Sequence, residues 1–285
     1  MTLFDEVYGD IAQFTRVEDA EEEVCELYSV YYSSNGSERI NLVDASKSEL
    51  EVEIKGVGGA RTLELTIAQN PNINSERGQT GAVLWSSSVV MSEFLARRLT
   101  GGWSLHNANV VELGSGCGLV GIALHRLGAR RVVLTDQKRM MKLLTRNADQ
   151  NRIACTPSST AARRRPAAGA AIAGELLVAE YEWGRMPEDP RILAPAVDVV
   201  VVSDCVFHEL VAPLLVQTLV DVCRSRSDVR VVALVGQELR SDLVHQVFVE
   251  QLLKSFELYR VPVHPDIDGS YVLYAMWLRQ LPHES

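Results

Sequence analysis

The sequence has no CxxC pair, no surplus of basic residues, no long apolar run and no basic-then-apolar leader, and each absence removes a class of protein. Its five cysteines, Cys25, Cys117, Cys155, Cys205 and Cys223, are odd in number, widely spaced and outside any histidine-containing cluster. Neither a disulfide framework nor a metal site is expected from them, and they read as reduced, partly buried thiols. The 28 lysines and arginines are outnumbered by 37 aspartates and glutamates, a net charge of −9. That balance argues against a nucleic-acid partner, because a backbone binder gains affinity by displacing counterions from phosphates with Lys and Arg. No stretch nears the roughly 20 apolar residues that a membrane helix requires. The start, Met1-Thr2-Leu3-Phe4-Asp5-Glu6, lacks the pattern of a secretory signal. The expected setting is cytoplasmic, with the nucleus also open, and without a membrane partner.

What is present is apolar content, 47% of 285 residues, enough to bury the core of one large domain or two ordinary ones. Over residues 1–78 an acidic run (Glu18, Asp19, Glu21, Glu22, Glu23, Glu26) precedes the alternating segments Leu50-Glu51-Val52-Glu53-Ile54 and Leu63-Glu64-Leu65-Thr66-Ile67. Period-two alternation predicts half-buried antiparallel strands, so residues 1–78 read as a small β-rich appendage docked on the rest. The acidic run reads as a solvated helix or loop face.

Residues 79–285 read as a second unit. A helix is expected from Ser86 to about Leu99, then apolar strands at Val110–Leu113, Arg131–Thr135, Leu176–Ala179, Asp198–Val202 and Val229–Val235. Each connection can carry a crossover helix, which predicts a parallel sheet covered on both faces. One such helix shows in the spacing of Leu210, Leu214, Leu215, Leu219 and Val222, with Pro213 tolerated in its first turn. A helix over Ser241–Lys254 and strands over Phe256–Val263 and Tyr271–Leu278 follow, and the short loop between those strands makes them antiparallel. The fold class is therefore α/β, a Rossmann-like seven-stranded, mostly parallel sheet with one antiparallel C-terminal strand. Residues 156–174, rich in Ala with Arg163, Arg164 and Arg165, read as a flexible surface insertion.

The chemistry concentrates in Val110-Val111-Glu112-Leu113-Gly114-Ser115-Gly116-Cys117-Gly118-Leu119, a strand entering a glycine turn and then a helix. Glycines admit positive φ and let a ligand press on bare backbone, and the helix start offers free N–H groups, so a nucleotide-like cofactor belongs there. Asp136 ends the next strand, where an acid can accept hydrogen bonds from ribose hydroxyls. Two cofactors compete. Gly116, Gly118 and Gly121 fit the dinucleotide pattern GxGxxG, but its first glycine should follow the strand directly. The register Glu112-x-Gly114-x-Gly116-x-Gly118 instead sets a carboxylate at the strand end, which would repel a pyrophosphate and suits the ammonium of S-adenosylmethionine. That cofactor is favoured over NAD.

At these residues the sequence resembles the seven-strand methyltransferases, and more narrowly the lysine methyltransferases of methyltransferase family 16, over about residues 79–280. Gly81-Ala82-Val83-Leu84-Trp85 resembles the family's segment ahead of the first helix, which implies Trp85 near the cofactor. Tyr181-Glu182-Trp183-Gly184 resembles its Leu-x-Trp-Gly element and implies that Tyr181, Glu182 and Trp183 frame the adenine. Ser203-Asp204-Cys205-Val206-Phe207 resembles its Ala-Asp-x-x-Tyr element, with Ser203 on the cofactor side. Gln237-Glu238-Leu239-Arg240 resembles its Tyr-Glu-x-Arg. Asp204 follows the fourth strand of the sheet, so it is the candidate for attracting and orienting a lysine amine, and Phe207 is the candidate channel wall. Two departures stand out: Phe207 replaces a Tyr common in the family, and Gly236 replaces an aromatic, which would leave that wall open. His208 adjoins the site without a visible partner. The function implied is S-adenosylmethionine-dependent methylation of a lysine on a protein substrate, leaving S-adenosylhomocysteine. The rival readings are a methyltransferase for a small-molecule amine or a protein N-terminus, and a non-catalytic cofactor-binding scaffold.

Overall fold

A computed structural model describes residues 2–33, 42–56, 62–71, 81–152, 174–226, 228–263 and 269–279. Two helices, α1 (Leu3–Gly9) and α2 (Ala20–Ser33), flank a short strand, β1 (Thr15–Val17). Both helix starts are capped by side chains: Thr2 and Asp5 form a reciprocal box, and Asp19 accepts the Glu22 N–H at 2.9 Å. Glu21, Glu22 and Glu23 then sit at the positive end of the α2 dipole. The hairpin β2 (Glu49–Ile54) and β3 (Leu63–Ala68) forms a separate antiparallel sheet, as the alternation predicts. Val52, Ile54, Leu63, Leu65 and Ile67 face inward, and Glu51, Glu53 and Glu64 face water.

The chain continues through α3 (Ser86–Thr100), β4 (Asn109–Leu113), α4 (Leu119–Arg126), β5 (Arg131–Asp136), α5 (Met141–Asn151), β6 (Glu175–Glu180) and β7 (Val199–Ser203). It ends with α6 (Val211–Arg224), β8 (Val232–Glu238), α7 (Asp242–Leu253), β9 (Phe256–Val261) and β10 (Tyr271–Leu278). The sheet order is β1-β9-β10-β8-β7-β4-β5-β6. The strands β8, β7, β4, β5 and β6 run parallel, and β10 inserts antiparallel between β8 and β9. These are the seven strands expected, with one reversed. An eighth, β1, pairs antiparallel with β9 at the sheet edge. Three residues are too few to show a period, which is why it escapes a sequence reading.

Helices cover both faces, so the central strands are apolar on both sides: Val199, Val200, Val201 and Val202 are all at most 1% exposed. One core lies between the sheet and α3, α4 and the hairpin, the other between the sheet and α6 and α7. The hairpin is fastened by α5. The Asn147 and Asn151 amides, one helical turn apart, each exchange two hydrogen bonds of 2.7–3.0 Å with the β3 backbone at Ala68 and Thr66. The N-terminal acidic run is solvated except at Glu23, which is 5% exposed on the buried side of α2. It accepts the Tyr274 hydroxyl at 2.9 Å and pairs with Arg260 at 3.3 Å, and burial pushes its pKa up against that cation. The expected Ala/Arg-rich insertion, bar Gly174, lies outside the described residues.

Candidate active site

The glycine turn is built by backbone that only glycine adopts easily. Gly114, Gly116 and Gly118 have φ of +67°, +55° and +85°. A Cβ on Gly114 would stand 2.6 Å from the Cys205 sulfur and 2.8 Å from the Trp183 ring, so its bareness lets both close over the turn. Asp136, at the end of β5, accepts the Gly116 and Gln137 N–H groups at 2.7 Å each, and its carbonyl accepts the Tyr181 N–H. Burial pushes the Asp136 pKa up, against those backbone donors.

A cavity of about 240 Å³ opens at the carboxyl ends of the parallel strands, where open α/β sheets take ligands. Trp85, Gly114, Gly116, Asp136 and Tyr181 line it. So do Glu182, Trp183, Ser203, Asp204 and Phe207. Residues as far apart as 85 and 207 therefore meet around one space. Tyr181 is buried, which pushes its hydroxyl up to about 12. The Ser203 hydroxyl is buried without a hydrogen-bond partner among the described residues.

Two expected cofactor ligands do not reach the cavity. Glu112 is 2% exposed and turns under the glycine turn, where its Oε2 accepts the Gly121 N–H at 3.0 Å. Burial pushes its carboxyl up to about 8. Its bond to Gly121 makes Glu112 a support of the turn. Gly118 starts α4, and a Cβ there would come within 2.6 Å of Leu144, so it serves packing. Gly121 does the same more severely: a Cβ would overlap Leu134 and sit 2.6 Å from Glu112 Oε2.

At the other end of the cavity, Asp204 is the one non-glycine residue with positive φ, +57°, among the described residues. Its N–H donates to the Gly236 carbonyl at 2.7 Å, and its side chain is 2% exposed. Arg240 grips the carboxylate with two nitrogens, at 2.6 and 2.5 Å, and Gln237 donates to it at 3.0 Å. The guanidinium also bonds Glu238 at 2.5 Å and lies 5.1 Å from the centre of the Trp85 ring. The Asp204 carboxylate is thus a fixed, partnered charge. Arg240 is the residue that sequence reasoning left out of the site, although it closes the Gln237-Glu238-Leu239-Arg240 element. Gln137, Arg139 and Met140 also line the cavity, and their signal was position, just past the end of β5.

Phe207 is half exposed at the rim. The wall at Gly236 is not open: Leu273 and Met91 fill the space, at 2.9 and 3.4 Å from where a Cβ would stand. His208 lies outside the cavity, and its Nδ1 accepts the Leu210 N–H. Among the described residues no group of three or more His, Cys, Asp or Glu could hold a metal, and no helix is long and apolar enough to cross a membrane.

Comparison with known proteins gives several relatives. The chain is 29% identical over 188 residues to the mouse (Mus musculus) protein N-lysine methyltransferase METTL21A, covering 66% of this chain and 73% of that one. It is 27% identical over 216 residues to METTL21A of Xenopus tropicalis, covering 75% and 86%. With the Saccharomyces cerevisiae protein-lysine N-methyltransferase EFM6 it shares 26% over 160 residues, covering 50% and 57%. Among solved structures it is similar to the magnesium protoporphyrin IX methyltransferase of Synechocystis with bound SAH, at 10% identity and a TM-score of 0.42, covering 66% and 82%. The profile described as lysine methyltransferase matches residues 64–254, a span that takes in the glycine turn, Asp136, Trp183, Asp204 and Arg240. With two thirds of its length inside that match, the chain belongs to the lysine methyltransferase family.

Proposed function

We propose that this chain transfers the methyl group of S-adenosylmethionine to the side-chain amine of a lysine on another protein. The residues of the cavity fit that cofactor. Gly114, Gly116, Asp136 and Ser203 line the cavity together, bare glycine backbone leaves room for a ligand, and Asp136 at the end of β5 would accept the ribose hydroxyls. Trp85, Tyr181, Glu182 and Trp183 would hold the adenine and ribose side. When bound, the cofactor supplies an electrophilic methyl group on a cationic sulfur.

The chain's own work is at the acceptor. An amine attacks in line only if it is held close and its lone pair is free. Asp204, clamped by Arg240 and Gln237, cannot swing, so its oxygens would accept a hydrogen bond from the approaching amine at a fixed place. Phe207 walls the rim and favours a cation through its ring face. The lysine proton is lost to water, because an ordinary carboxylate is a weak base for an amine of pKa about 10.4. The named relatives, methyltransferases of protein lysines, support a protein acceptor. The acidic balance argues against a nucleic-acid acceptor, and the disulfide-free thiols of Cys25, Cys117, Cys205 and Cys223 suit the reducing cytoplasm or nucleus.

The single observation that carries this reading is the clamped Asp204 in the same cavity as the glycine turn. Incubation with labelled S-adenosylmethionine and a cell lysate tests it. Asp204→Asn should lose protein labelling and keep affinity for S-adenosylhomocysteine; unchanged labelling overturns the role of Asp204.

A further inference from the structure

The segment that follows β6, Tyr181-Glu182-Trp183-Gly184, is fastened to the rest of the fold at both ends. At its start the Tyr181 N–H donates to the Asp136 carbonyl at 2.9 Å. At its end the Gly184 N–H donates to the Thr218 hydroxyl, also at 2.9 Å. Between the two anchors stand Glu182 and Trp183, which line the main cavity. The first anchor joins backbone to backbone and does not depend on which side chains are present. The second depends on a single side chain, and that side chain belongs to α6, 34 residues further along.

Thr218 shares the buried face of α6 with Leu215, Leu219 and Val222, and it is 0% exposed. A hydroxyl in such a place costs desolvation unless its hydrogen bonds are made inside the protein. Its one proton goes to the Leu214 carbonyl, a turn back along the helix, at 2.9 Å. The oxygen is left to accept, and the Gly184 N–H is the donor it receives. That bond holds the peptide plane between Trp183 and Gly184. Gly184 has a φ of +81°, and a Cβ on it would stand 2.8 Å from Leu214 Cδ2, so α6 lies close against the end of the segment. The plane in turn sets where the Trp183 ring stands over the glycine turn, 2.8 Å from where a Gly114 Cβ would be. Thr218 itself is not in the wall of the main cavity.

We propose that Thr218 is a positioning residue for the cofactor: through the Gly184 N–H it fixes Trp183 against the glycine turn, and so sets the affinity for the adenosyl half without touching it. The inference rests on the reading that Trp183 lies beside the adenine of S-adenosylmethionine. It does not depend on the identity of the methyl acceptor.

The test compares Thr218→Val, which keeps the shape and loses the acceptor, with Thr218→Ser, which keeps the oxygen. Calorimetry with S-adenosylhomocysteine gives affinity, and protein labelling in a lysate at rising S-adenosylmethionine gives KM and kcat. Thr218→Val should weaken S-adenosylhomocysteine about fivefold, the worth of one net hydrogen bond, and raise KM for S-adenosylmethionine alike with kcat kept. Thr218→Ser should bind as the wild type does. In a Trp183→Leu background, itself weaker in binding, Thr218→Val should cost little more. In the wild type the Gly184 amide should exchange with deuterated water about tenfold more slowly once S-adenosylhomocysteine is bound, a readout that needs no variant. The tether is overturned by unchanged affinity in Thr218→Val, by equal losses in Thr218→Val and Thr218→Ser, by additive losses with Trp183→Leu, or by Gly184 exchange indifferent to the ligand. Affinities as expected without labelling of any protein uphold the tether and overturn the lysine reading. A wild type that binds no S-adenosylhomocysteine, or a Trp183→Leu that binds it as the wild type does, overturns the placement of the adenine and the tether with it.

Discussion

Replacing Glu112 by Gln separates two accounts of a residue that sequence reasoning places against the cofactor. The folded carboxyl titrates at about 8 and the unfolded one near 4.5. Below pH 4.5 both states are protonated and the group is neutral to stability. Between those values the unfolded chain releases the proton while the folded chain keeps it, so stability falls as pH rises, by about 1.4 kcal/mol per pH unit. At pH 7 the loss is on the order of 3 kcal/mol, and above pH 8 it levels off at roughly 4 to 5 kcal/mol. Gln cannot ionise, and its carbonyl can still accept the Gly121 N–H. Glu112→Gln should therefore gain on the wild type steadily from about pH 5 to pH 8.5 in urea unfolding. At neutral pH the gain should appear as a rise of several degrees in Tm. A stability gap that does not change with pH refutes the reasoning. So does a variant of unchanged stability that has lost affinity for S-adenosylhomocysteine, because that is what a ligand to the cofactor would do.

The other expectations are simpler. Gly121→Ala forces a methyl group into Leu134 and Glu112 and should cost about 2 to 3 kcal/mol in chemical denaturation, whereas Gly9→Ala, with nothing within 4 Å, should lie within about 0.5 kcal/mol of wild type. Asp136→Asn keeps an oxygen for the Gly116 N–H but loses the charge, and should weaken S-adenosylhomocysteine about tenfold or more by calorimetry. Arg240→Lys replaces a two-nitrogen grip by a point charge, so kcat should fall by an order of magnitude or more with the cofactor affinity kept; unchanged kcat would show that Asp204 needs no clamp.

What could be read from the sequence was local. The glycine turn, Asp136 and the buried valine strands carry their own patterns, because each depends on neighbours a few residues away. The clamp on Asp204 was not legible as a contact, since Arg240 lies 36 residues on and only the pairing of β7 with β8 brings the two strand ends together. The inward turn of Glu112 was missed for a different reason. In a strand buried on both faces no polar alternation tells which way a side chain points, so a carboxylate at the strand end looked free to face a ligand. Glu23 shows the same limit: five acidic neighbours mark the run as solvated, and only the distant Tyr274 and Arg260 account for the one that is buried.

Asn147 gives the β2–β3 hairpin a part in the chemistry that its position in the chain conceals. The same amide that exchanges bonds with Ala68 also donates to the Cys117 carbonyl, inside the glycine turn, at 2.9 Å. One side chain is thus a splice between an element with no catalytic residue and the loop that would cradle the cofactor. A chain trimmed to begin at residue 79 would strand that amide in the interior, with the bonds to Ala68 gone. Composition changes near residue 78, but mechanically the turn begins further back, and the hairpin is its buttress.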